Sequence, residues 1–529
     1  MSLRRQEPPP GLRRRSVPPR RGRIRKRYVV LFIALMALAA LGWIVGQAIT
    51  AKPGPLVDYQ QKMRDLSASL QPEGENGWPA FVEALTLYSM MGYPDVPDWP
   101  TDRNRLADIQ SLTRVLDGDF DPQRVRFELA LLAHIEQSGV LEALDAAAAA
   151  PRAVRESLDG AEQGIMFALL PELGQARGVA RMCAARMRAS VEAGDAEQFF
   201  RSTEHGLALS RITSHDGLLL GHLVGISISQ LILSELGCQI VEREMDEATC
   251  RTLLELLDRH PLAPIRLALD GERMSQLDVI QRLYSDDGQG DGILLMSKSA
   301  EMANMFGGGP PLGGAHPIFN VVGLVLPGRA ETTRLLNEFF AAAADQSELF
   351  GPEQRSHSVN LDEFVDNLPR GHFVLRLLLP ALTRCLSSDL NAKAVRQATR
   401  LLLAIEAFEN RHGRLPDALD DLVPEFLASV PLDPVSGKPF VFLKREPTAD
   451  DPRTYLLYSV GLDLADDRGA EPPGRNYMAA LRSGSEGQGF DYIFNRPRDP
   501  WQEDRTTTDP PGEASAPGAE TPAQEATEP

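Results

Sequence analysis

The 529-residue chain has only four cysteines, and no two of them form a CxxC pair. That removes the usual sequence basis for a thiolate zinc site or a dithiol redox motif. Cys183, Cys238, Cys250 and Cys385 all fall in predicted helices. An oxidising compartment would permit a disulfide, but spacing selects none of the three pairings, and buried thiols serve equally. The sequence also lacks an H-E-x-x-H pair, a G-x-S-x-G elbow, a P-loop and a dinucleotide-binding glycine pattern. It therefore nominates no catalytic and no cofactor-binding residue. Basic residues are scarce after the first 27 positions. The leader holds 11 of the 55 lysines and arginines and only one acid, Glu7, so the remaining 44 basic and 72 acidic residues carry a net charge of −28. A body that acidic repels nucleic acid and anionic head groups, and no nucleic-acid partner is expected.

Charge of either sign is missing altogether from Tyr28 to Ile49, YVVLFIALMALAALGWIVGQAI. As a helix these 22 residues measure about 33 Å, enough for one bilayer crossing and longer than the apolar region of a cleaved signal peptide. The segment RIRKR precedes the run and only Lys52 follows it closely. The positive-inside bias then places residues 1–27 in the cytoplasm and sends the chain outward from about residue 50. The expected arrangement is an uncleaved signal anchor in the cell inner membrane, single-pass, with the lipid bilayer as partner through Tyr28–Ile49.

Lys52-Pro53-Gly54-Pro55 breaks the helix, and between 56 and 390 apolar residues recur at three- and four-residue spacing. This predicts a mainly α-helical extracytoplasmic domain over 50–390, with clear segments at 123–138, 175–193, 196–212, 216–243 and 247–258. Gly194-Asp195 reads as the turn of a helical hairpin, with Asp195 as the N-cap of its second helix. The hairpin is similar to a tetratricopeptide unit locally, without a sustained 34-residue period. Leu218–Leu236 is apolar enough for a second span, but His222, Gln230 and Glu235 favour the centre of a helical domain. Residues 286–318, rich in glycine and proline, are expected to be loops.

From 391 the texture changes. NAKAVRQATRLLLAIEAFENRHG sets Ala394, Ala398, Leu401, Ile405 and Phe408 on one helical face, stopped by Gly413. A short helix at LPDALDDLVPEFL, the turn VPLDPVSGKP and strands at 440–444, 454–460 and 490–494 follow. Residues 391–500 are expected to form a small α+β head with an antiparallel sheet and a separate core, and 501–529 a disordered tail.

His412-Gly413, Leu415-Pro416, Val430-Pro431-Leu432-Asp433-Pro434, Gly437, Pro439 and Tyr458-Ser459-Val460-Gly461-Leu462-Asp463 stand in a fixed order. In that order 391–495 resembles the globular head of type II secretion system major pseudopilins. The whole layout resembles uncharacterised membrane-anchored bacterial proteins that carry such a head. Two departures separate the chain from a true pseudopilin. Nothing like the cleaved leader and position-five glutamate precedes Tyr28, and a 330-residue helical region intervenes. The resemblance implies calcium as a cofactor, held by backbone carbonyls and two aspartates. Asp463 matches the first, and the second is Asp491, with Asp466 and Asp467 as alternatives. The same acids would also serve as turn caps on a solvated loop.

Two further constellations point more weakly to metal. Asp287-Gly288-Gln289-Gly290-Asp291-Gly292 imitates the start of an EF-hand, but position twelve is Lys298 rather than the required glutamate. His205, His215 and His222 lie on neighbouring predicted helices without zinc spacing, as hydrogen-bonded histidines commonly do. Three functions follow from the whole. The first is a non-enzymatic binding or structural platform with envelope protein partners. The second is an extracytoplasmic enzyme with an unrecognised site in the helical domain. The third is an atypical component of a secretion or pilus-like machine.

Overall fold

The computed structural model describes residues 21–91, 130–158, 164–168, 170–298, 316–379, 382–448, 451, 453–461, 463–471 and 490–497. Most of the basic leader, the start of the 123–138 segment, and residues 299–315, 472–489 and 498–529, the last including the expected disordered tail, lie outside them. The chain divides into two compact units, Met1–Pro55 with Gln281–Glu331, and Leu56–Ile280 with Thr332–Pro529. Within the described residues it is mainly helical, with one small antiparallel sheet. The division differs from the composition boundaries, because the stretch around 286–318 groups with the N-terminal helix rather than with the helical domain on either side.

In the first unit, α1 runs from Arg21 to Thr50. Its large apolar side chains from Tyr28 to Ile44 are 41–68% exposed, and burial appears only at its C-terminal end, at Ala48. The Asp287–Asp291 loop is closed by its own carboxylates. Asp287 Oδ1 accepts from the Gln289 and Asp291 N–H groups, Asp291 Oδ1 from Gly292 and Ala330, and Asp286 pairs with Arg329. Gly288 and Gly290 take positive φ, as such a turn requires.

The second unit is built on helices α2 (Tyr59–Ser69), α3 (Trp78–Met90), α4 (Val140–Ala149), α5 (Pro171–Ala193), α6 (Ala196–Ser214), α7 (Leu219–Glu242), α8 (Glu247–Arg259) and α9, which begins at Ile265. The hairpin α5–α6 turns at Gly194 (φ +71°), and Asp195 caps α6 by accepting from the Gln198 N–H at 3.0 Å. Helix α7 lies largely inside the unit, with Ile228, Ile232 and Leu236 at 0–1% exposure and the polar His222, Glu235 and Gln239 buried beside them. After α10 (Arg329–Ser347) and three short helices, α11 (Gly351–Arg355), α12 (Leu361–Asp366) and α13 (Phe373–Leu378), the chain enters α14, Leu382–His412.

Helix α14 corrects two expectations. It is continuous across position 391, and it is buried on more than one face. Leu401, Leu402, Leu403, Ala404 and Ile405 are each 0–1% exposed, and five consecutive residues cover the full circumference of a helix. One side packs on α7 and α8, the other on the strand Tyr455–Ser459 and the turn at Leu419–Leu422. The sheet residues Phe440, Tyr455 and Leu457 thereby join the same hydrophobic cluster as α3 through α8. The expected separate core reduces to a small satellite of Leu456, Tyr458, Val460 and Ile493 on the far face of the sheet.

The sheet orders β1 (Val441–Lys444), β2 (Tyr455–Ser459) and β3 (Tyr492–Ile493), all antiparallel, with Val441 opposite Tyr458 and Tyr458 opposite Ile493. Strand β3 stops after two residues, and the buried Asn495 side chain continues the pairing. Its Oδ1 accepts from the Leu457 N–H at 2.9 Å and its Nδ2 donates to the Tyr455 carbonyl at 2.7 Å.

Candidate functional site

Two of the turns singled out in the sequence, at 432–436 and 459–461, are joined by one buried carboxylate. Asp433, fully buried, accepts from the Val435 and Ser436 N–H groups, from the Ser436 hydroxyl, and from Ser459 Oγ at 2.6 Å. Ser459 Oγ in turn accepts from the Gly461 N–H at 3.0 Å. The Leu432-Asp433-Pro434 turn and the Ser459-Val460-Gly461 strand end are thus one hydrogen-bonded knot. A charged acceptor with that many donors is well compensated for its burial.

Downstream of the knot the chain turns tightly through positive φ at Gly461, Leu464, Arg468 and Gly469. Asp463 is engaged at its own turn, its Oδ1 accepting from the Ala465 N–H at 3.2 Å. Asp466 accepts from the Tyr458 hydroxyl and the Arg468 N–H, both at 2.9 Å. Asp491 is fully buried and accepts from the Gly469 N–H at 2.7 Å. Burial pushes the Asp491 carboxyl up to about 6; the Gly469 and Asp467 amides pull it down, while the negative charges of Asp466 and Asp467 push it further up. Asp467 Oδ2 is buried with no hydrogen-bond partner among the described residues. The structure therefore groups Asp466 and Asp467 with Asp491 in an acidic, oxygen-rich corner at the sheet edge.

The three histidines singled out in the sequence go to three different partners. His205 Nε2 meets Asp145 Oδ1 at 2.7 Å, His215 Nδ1 meets the Arg211 carbonyl at 2.8 Å, and His222 Nε2 meets Asp389 Oδ1 at 3.0 Å. Among the described residues no three His, Cys, Asp or Glu side chains converge at metal-ligand spacing. No two of the four cysteines are bonded. Burial pushes the thiols of Cys183 and Cys250 up to about 12, so neither is a ready thiolate.

Sequence reasoning missed a largely buried charge cluster. Arg155 bridges Glu172 and Asp216, lies 4.4 Å over the Trp78 ring, and is 8% exposed. Asp216 also accepts from the Leu218 N–H at 2.8 Å, and burial, opposed by Arg155, pushes its carboxyl up to about 6. No local spacing links Arg155, Glu172 and Asp216, so only the fold could reveal them as a set. The cavity beside Arg155 and Asp216 is about 20 Å³, room for a single water. An open cleft of about 340 Å³ lies between Asp258, Arg396, Arg400 and Ser429. Neither is lined by a histidine or a cysteine.

Compared with protein-family models, with curated proteins and with solved structures, the chain finds no match.

Proposed function

We propose that the protein is a membrane-anchored extracytoplasmic protein acting as a binding or structural platform in the bacterial envelope, held in the inner membrane by Tyr28–Ile49 with its N-terminus cytoplasmic. One observation carries this reading. Helix α1 holds a 22-residue uncharged run, preceded by 11 basic residues, and its large apolar side chains from Tyr28 to Ile44 stand exposed. Lipid is the solvent that suits such a surface. The knot around Asp433 supports a second element of the reading, a pseudopilin-like head, and with it the alternative of an atypical secretion component. Pull-down from crosslinked membranes separates the two. Envelope proteins unrelated to secretion should dominate the capture, and a capture dominated by secretion-machine subunits would favour the alternative.

We also propose calcium at the sheet-edge corner, held by neighbouring backbone carbonyls and two carboxylates, Asp491 with one of Asp463, Asp466 and Asp467. Asp463, the residue that the family pattern nominates, accepts from the Ala465 N–H through one of its two carboxylate oxygens. Carboxylates and carbonyls are the donors a hard cation takes, and a cation would relieve the mutual repulsion around Asp491. The pH sign follows from the raised carboxyl of Asp491. The ionised form weighs against the fold at neutral pH, and stability is regained as pH falls through about 6. In chelator at pH 7.5, Asp491→Asn should therefore stabilise the full chain, by about 1–3 kcal/mol. Calcium at one hundred times Kd should stabilise the unsubstituted chain by about 2.7 kcal/mol, more than magnesium does, and should no longer do so in Asp491→Asn. Identical melting of the unsubstituted chain in calcium and chelator would leave the acids as turn caps.

A further inference from the structure

The sequence predicts loops over 286–318 and places the residues that follow in the helical domain, with no segment singled out there. In the structure Pro317–Val325 forms a nine-residue 3₁₀ helix, PIFNVVGLV, in the same unit as α1. A 3₁₀ helix repeats every three residues, so Asn320 and Gly323 share one face. That face is fastened down. Asn320 Oδ1 accepts from the Ser297 N–H at 2.9 Å, and a Cβ on Gly323 would stand 2.2 Å from the Leu294 carbonyl oxygen. The remaining faces are apolar and open. Ile318 is 52% exposed, Phe319 39%, Val322 45%, Leu324 38% and Val325 83%.

No charged residue occurs between His316 and Pro327. The only polar side chain inside the helix, Asn320, is turned inward and bonded. The helix supplies its own backbone hydrogen bonds, and His316 Nδ1 caps the Ile318 N–H at 3.3 Å. A segment whose backbone is largely bonded within itself strands fewer polar groups in hydrocarbon than an open loop does. It also packs against α1, whose burial is confined to its C-terminal end. Its apolar surface is thus continuous with the surface assigned to lipid. Trp43, 68% exposed near the same end of α1, is a residue type that favours the membrane interface.

We propose that Pro317–Val325 is a second, shallow membrane contact, its Ile318, Phe319, Val322, Leu324 and Val325 side chains seated among acyl chains of the outward-facing leaflet beside the exit of α1. The inference rests on the reading of α1 as the membrane span. Its consequence is that the anchor is not a free tether, because two points of contact fix the unit at the bilayer surface.

The test uses the full chain in its native membrane, with a photoreactive amino acid placed in turn at Val322, Val325, Leu38 on α1, and Gln289 on the exposed Asp287–Asp291 loop. The expected result is a phospholipid adduct at Val322, Val325 and Leu38, and none at Gln289. An adduct at Leu38 without one at Val322 and Val325 overturns the second contact and leaves the span intact. Crosslinking of Val325 to a protein, a second copy of this chain included, also overturns it. Absence of lipid at all four positions overturns both readings together.

Discussion

Residues 391–500, expressed alone, should show no cooperative unfolding transition, although their sequence reads as a module. Helix α14 owes its burial to two sides, and the fragment keeps only one of them. The belt from Leu401 to Ile405 is 0–1% exposed right round the helix, so removal of α7 and α8 must strip part of it whichever residues face them. Each Leu or Ile returned to water costs about 1.5–3 kcal/mol, and two or three of them approach the 5–15 kcal/mol of a typical domain. Polar contacts are lost as well. Arg396 donates to the carbonyls of Leu257 and His260, Asn410 Nδ2 to the Met245 carbonyl at 2.6 Å, and Arg411 pairs with Glu247. A longer fragment beginning at Pro171, which restores α5 to α8, should regain a sharp transition. Calorimetry of both fragments decides the matter. A sharp transition in 391–500 would mean that the sheet and the turn at Leu419–Leu422 suffice to hold the helix.

Arg155→Ala should be strongly destabilising, by about 3–5 kcal/mol, the range for breaking a buried ion pair from one side. Arg155 faces two carboxylates, and Asp216 has no exposed side-chain surface. Without the guanidinium the Asp216 carboxyl rises above its present value of about 6, so the loss should be larger at pH 8 than at pH 5. Adding Asp216→Asn to Arg155→Ala should recover part of it, about 1–3 kcal/mol, by removing the stranded charge. Denaturant unfolding of the single and double variants at both pH values measures each quantity. A loss below about 1 kcal/mol at pH 8 would mean that the cluster is better hydrated than its burial indicates.

What was legible in the sequence was local. The α5–α6 hairpin announced itself through Gly194 and Asp195, and the three strands through short β-branched and aromatic runs, because caps, turns and periods are properties of adjacent residues. The contiguous LLLAI of α14 signals burial on every side, beyond the single face that Ala394, Ala398, Leu401, Ile405 and Phe408 mark. What was not legible depends on partners distant in sequence. The continuity of core across position 391 and the Arg155–Glu172–Asp216 set both join residues whose spacing encodes nothing. The apolar face at Pro317–Val325 was present as an uncharged run, but it is too short to register as a span and follows a glycine-rich stretch.

The central claim is the direction of the chain across the membrane, and paired reporters test it most directly. One reporter active only in the cytoplasm and one active only outside are fused, in separate strains, after Pro529. The account predicts that the outside reporter is active and the cytoplasmic reporter silent. It also predicts that the pattern inverts or blurs when the arginines and lysine of residues 20–27 are replaced by neutral residues. Strong cytoplasmic activity at Pro529 in the unaltered chain would contradict it, and with it the assignment of the whole body to the outer side of the membrane.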